Sequence, residues 1–154
     1  EMIYKQEADS SVNSVQFAPW EYGLHLAAGV ADGKVIILSL IQGSGEAEFQ
    51  THDGGVTAIS WGPTQQACLL QAETFDFKHN EKVFELIPKR FVTAGMDNKV
   101  KIWQENKDQG NFEQVGELVQ KDKQSEHEDW VRDVAWCNNV GTQRDLIATC
   151  GEDK

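Results

Sequence analysis

The chain has 154 residues, enough for one ordinary domain with a sizeable core, and its five Trp and seven Phe point to a packed fold rather than disorder. Its formal net charge of -11 argues against a duplex nucleic-acid binder, because phosphates would be repelled, and against direct adhesion to an anionic membrane surface. No run approaches the roughly eighteen apolar residues that a membrane-spanning helix needs.

From the start of the chain, Ile3 and Tyr4 read as the end of an outer strand. Short runs rich in Val and Ile then alternate with turn residues, the pattern of β-strands and hairpins. Strands are expected near 12–18 and 24–29, a hairpin turn at Asp32-Gly33, and a third strand near 34–40. A loop at 43–45 precedes a fourth, outer strand at 47–51. A second unit opens at Val56, breaks off after Pro63 for an insertion at 64–89, and resumes with a hairpin turn at Asp97-Asn98. The insertion joins the first and second strands of its unit, and its apolar residues, such as Phe75, Phe77 and Phe84, follow no clean period. A self-packed surface loop is the plainer expectation for it, and a docking element for a partner the sharper one. The last unit starts with HEDWVRDVAW (127–136) and runs into IATCGEDK.

These units are copies of one another. The segments SVNSVQFAP (11–19), GVTAISWGP (55–63) and WVRDVAWCN (130–138) put apolar residues in one frame. Those residues are Val12, Val15 and Phe17, then Val56, Ile59 and Trp61, then Val131, Val134 and Trp136. LAAGVADGKVIIL (26–38) and FVTAGMDNKVKIW (91–103) follow the first two. In each unit a Gly precedes an Asp: Gly29 and Asp32, Gly95 and Asp97, Gly151 and Asp153. Val12 and Val56 lie 44 residues apart, within the period of about 40–45 for a four-stranded propeller blade. The interval from Val56 to Val131 is 75, lengthened mainly by the insertion. The expected organisation is an outer strand at 1–7, blades at 8–51 and 52–126, and the first half of a further blade at 127–154. A ring takes about 4–8 blades. If Lys154 were a true C-terminus, Trp136 and its neighbours would lose half their packing, so the sequence is expected to be a fragment, or the ordered part, of a protein about twice as long.

Two sets of polar side chains look like chemistry. His52, Thr93 and Asp97, with Trp103 close behind, contain the groups of a nucleophile–base–orienter triad, and His127, Thr149 and Asp153 repeat them. Blade topology offers another role. It brings the turn before a first strand and the turn after a second strand to one face, so Asp97 can accept from one imidazole nitrogen of His52. Thr93 then bonds the other nitrogen, and the Trp103 indole donates to the Thr93 hydroxyl. Every polar group is satisfied in a buried setting, which makes the set a structural hydrogen-bond network rather than a catalytic site. In the first blade Ala8, Ala28 and Leu38 take the His, Thr and Trp places and only Asp32 remains. A device that one blade omits is a staple.

His25, His52, His79 and His127 lack metal-ligand spacing, and Gly43-Ser44-Gly45 lacks the residues that complete a phosphate loop. Glu126, Glu128 and Asp129 read as a solvated turn. No catalytic residue, metal or cofactor is expected. Cys68, Cys137 and Cys150 form no C-x-x-C pair. They fit a reducing cytosolic or nuclear compartment, with Cys137 and Cys150 filling strand positions as small apolar residues.

VTAGMDNKVKIW and HEDWVRDVAW resemble blades of the WD-repeat propeller, with Trp103 where the repeat's Trp belongs. SVNSVQFAPWEYG, KRFVTAGMDNKVKIW and EHEDWVRDVAW are also similar to successive segments of one small six-bladed family. That family is the Sec-thirteen-type subunit of the COPII vesicle coat, shared with the Y-shaped scaffold of the nuclear pore. The likeness runs from Ala8 to Lys154; Phe17 in place of Trp, Cys137-Asn138 in place of Ser-Pro, and the apolar insertion depart from it.

The resemblance implies an all-β WD-repeat β-propeller, here a partial one, of about two and a half four-stranded blades from an open six-bladed ring. It also implies a non-catalytic scaffold whose gap is filled by strand addition from an elongated partner. In the coat, which carries protein from the endoplasmic reticulum to the Golgi, that partner is the large outer-cage subunit. At the nuclear pore it is a helical nucleoporin of the Y-complex. The implied places are the cytoplasmic face of the endoplasmic reticulum, COPII vesicles and the nuclear pore complex. Membrane association would be only indirect, through the coat, and there would be no direct nucleic-acid contact. The alternative is a peptide- or modification-recognising WD-repeat adaptor of another family, reading its ligand on the face that carries Asp97 and Asp153.

Overall fold

The computed structural model describes residues 5, 7–41, 44–64, 88–119, 127–138 and 145–153. The expected outer strand at Ile3 and Tyr4, and positions 65–87 of the insertion with Cys68, lie outside the described residues. The fold is all-β and forms three separate antiparallel sheets in chain order, none of them closed. The first contains β1 (Val12–Phe17), β2 (His25–Val30), β3 (Lys34–Ser39) and β4 (Ser44–Gln50). The second contains β5 (Val56–Trp61), β6 (Arg90–Gly95), β7 (Val100–Asn106) and β8 (Asn111–Glu117). The third pairs β9 (Val131–Trp136) with β10 (Ile147–Gly151). This is the architecture of a partial WD-repeat propeller.

Two local details differ from the sequence reading. The turns are longer than the two-residue ones expected: three residues, 31–33, separate β2 from β3, and four, 96–99, separate β6 from β7. Each contains a residue in the left-handed region, Gly33 (φ 90) and Asn98 (φ 66), as tight hairpin turns require. In addition, β4 begins at Ser44, inside the expected loop at 43–45.

The first strand of every sheet carries a bulge at one place. Its register shifts between Val12 and Ser14 in β1, between Val56 and Ala58 in β5, and opposite Cys150 and Gly151 in β9. The extra residue re-aims a side chain. Asn13 Nδ2 donates to the Val56 carbonyl at 2.9 Å, and Thr57 Oγ1 to the Val131 carbonyl at 2.6 Å. Reciprocal bonds run the other way. The Ile59 amide donates to Ser14 Oγ, the Trp61 amide to Gln16 Oε1, and the Trp136 amide to Ser60 Oγ. Backbone groups on the free edge of an innermost strand would otherwise be unpaired, and here the preceding sheet satisfies them.

Apolar packing fills the seams. Val56, Ile59, Trp61 and Phe91 pack against Ala27, Val35 and Ile37 of the first sheet. Phe49 of β4 lies 5.2 Å from the Trp103 ring and stacks on Phe112 at 5.8 Å. Tyr22, in the short 3-10 turn Trp20–Tyr22, sits beside Trp61 and donates to the Pro63 carbonyl at 3.4 Å. Burial pushes its phenol up to about 12 against the opposing field of Arg90, so it stays a donor. In the second seam Val131, Val134 and Trp136 pack on Ala58, Val92 and Val100.

Two expectations are corrected here. Trp136 is not short of packing: it is 6% exposed, lies over Gly62, and has the Arg90 guanidinium 5.1 Å from its ring centre. Its contacts come from the sheet before it. Cys137 and Cys150 are exposed rather than packed. Cys150 alternates with Ile147 and Thr149, so it points away from the second sheet, while Cys137 follows the end of β9. Val12, Val15 and Phe17, equivalent in frame to buried residues of β5 and β9, are 48%, 61% and 62% exposed, because no sheet precedes them among the described residues.

Candidate functional site

His52 lies in the loop leading into β5 and Asp97 in the β6–β7 turn, and the hairpin closes on the imidazole from both sides. His52 Nδ1 is 2.7 Å from Asp97 Oδ1, and Nε2 is 2.8 Å from Thr93 Oγ1. The Trp103 indole donates to the same hydroxyl at 2.9 Å. Because the hydroxyl oxygen receives the indole proton, it is assigned to donate to Nε2, which leaves Nδ1 as the protonated nitrogen facing Asp97. Burial raises the Asp97 carboxyl, but hydrogen bonding to His52 and the Asp53 amide, with the nearby Lys101 ammonium, outweighs it and holds the carboxyl below its ordinary range. His52 and Thr93 are 1% and 0% exposed, so the imidazole and the hydroxyl are closed to solvent, while the Asp97 side chain keeps 10% exposure.

In the third sheet His127 Nδ1 sits 2.9 Å and 3.0 Å from the two Asp153 oxygens, and Nε2 is 3.0 Å from Thr149. Hydrogen bonding to His127 and to the Glu128 amide holds the Asp153 carboxyl below its ordinary range. The first sheet has no such set. Ala8 packs against the apolar cluster of Ala28, Val30, Ile36 and Leu38, and Asp32 accepts from the Lys34 amide at 3.1 Å.

Residues that the sequence reading did not assign complete the networks. Lys101 Nζ donates to the Thr51 carbonyl and lies 3.8 Å from Asp97 Oδ2. The Gly33 carbonyl of the first sheet accepts from the Thr51 amide, the Thr51 hydroxyl and the His52 amide at 2.9, 2.7 and 3.1 Å. One level along, Asn98 Nδ2 donates to the Glu128 carbonyl beside His127 at 3.1 Å.

Gly95 and Gly151 are the glycines packed directly against the imidazole rings. A Cβ on Gly95 would lie 2.3 Å from His52 Nδ1, and one on Gly151 2.7 Å from His127 Nδ1. The strand register also corrects the sequence alignment. Gly95 pairs with Val56 and Gly151 with Val131, but Val12 pairs with Val30, not Gly29. Where Ala8 replaces the histidine, a valine occupies the glycine's place. The signal was present in the spacing, since Gly29 stands three residues before its Asp and the other two glycines stand two before theirs.

Among the described residues no group of three or more His, Cys, Asp or Glu could hold a metal ion. No helix among them is long and apolar enough to cross a membrane.

No family model matches the chain. It is 40% identical over 150 residues to a protein named Protein SEC13 homolog from Drosophila melanogaster, covering 95% of this chain and 38% of that protein. It is 38% identical over 149 residues to Protein transport protein SEC13 of Cryptococcus neoformans, covering 94% of this chain and 42% of the relative. Against Protein SEC13 homolog of Homo sapiens it is 36% identical over 131 residues, 81% of this chain and 36% of the human protein. The chain spans about two fifths of the length of the curated relatives it matches. Over that stretch, the chain is of the Sec13 type.

Proposed function

We propose that the chain is part of a protein-transport scaffold, the non-catalytic small subunit of the COPII outer coat acting between the endoplasmic reticulum and the Golgi. Identity of 33–40% to relatives named for SEC13, several of them as protein transport proteins, carries this proposal. The burial of His52 and Thr93, with the Trp103 indole bound to the Thr93 hydroxyl, supports the non-catalytic part. Three sheets that do not close into a ring fit a propeller that is completed by other strands.

The finer proposal is that the whole protein binds an elongated partner by strand addition at its open side. That partner is the large outer-cage subunit in the coat and a helical nucleoporin in the nuclear pore Y-complex. Membrane attachment would then be indirect. The test is affinity capture of the full-length protein followed by mass spectrometry. Recovery of an outer-coat subunit, a helical nucleoporin, or both is expected; recovery of neither overturns the proposal.

A further inference from the structure

We draw no further inference here: the strongest candidate, the cavity of about 460 Å³ at the ends of β1, β5 and β9 lined by Gln16, Phe17, Ser60, Trp61 and Trp136, has as one wall the β1 face carrying Phe17, and nothing in the structure shows what covers that face.

Discussion

The His52 network depends on Gly95 being a glycine. Its missing side chain leaves the space that the imidazole and the Asp97 carboxylate occupy. Gly95→Ala should destabilise the chain by about 1–3 kcal/mol through overpacking. In a His52→Ala background the same change should cost much less, since the colliding ring is gone. A denaturant double-mutant cycle reads this as a coupling of about 0.5–3 kcal/mol; strictly additive losses would show that the glycine serves only the backbone. Asp97 gives a pH prediction. Its folded carboxyl stays ionised where the unfolded one is protonated. Its contribution is therefore whole above the unfolded pKa of about 3.9 and is lost as the pH falls through the lower folded value. The stability gap between the wild type and Asp97→Asn, followed by urea midpoints, should be widest near neutrality and shrink below about pH 4. A gap of equal size at both ends would remove the charge from the explanation. The four-part set was legible in sequence because its residue types and repeat positions recur. The contributions of Gly33 and Lys101 were not, because they act through a carbonyl and an ammonium that only the folded register brings near.

At the scale of the element, the bulge in each first strand does two things. It turns Val56, Ile59 and Trp61 to one seam and leaves Ala58 facing the other. It also frees Thr57 to reach the next sheet. Thr57→Val keeps the shape and removes the donor, so the seam should weaken by about 0.5–1.5 kcal/mol. Hydrogen exchange is the readout: β9 amides should lose protection while the β5–β6 ladder keeps it. Equal loss in both would mean that the bond stabilises the second sheet itself. The bulge was partly legible. A plain strand alternates in twos, yet Val12, Val15 and Phe17 run three and then two apart, which places all three on one face only if a residue is extra. The burial of β1 could not be read in the same way. Burial depends on a neighbouring sheet, and the same frame is covered in β5 and open in β1.

At the scale of the molecule, two opposed features decide how the 154-residue chain behaves in solution. Val15 and Phe17 are exposed together on β1, an apolar face of the kind that draws molecules together. The net charge of -11 pushes copies apart. Salt screens the second effect over a length of about 8 Å at physiological ionic strength, so sedimentation should show association that rises with protein and salt concentration. Val15→Lys together with Phe17→Lys should suppress it; association unchanged by the pair would place the sticky surface elsewhere.

The Gly33 carbonyl, in the turn of the first sheet, holds the loop that delivers His52 to the second, and Asn98 in the second sheet holds the loop of His127. Each staple is thus fastened to the hairpin made before it, which gives assembly a direction. During synthesis each hairpin leaves the ribosome before the histidine that follows it, so the carbonyl or amide that holds that histidine's loop is already made when the loop emerges.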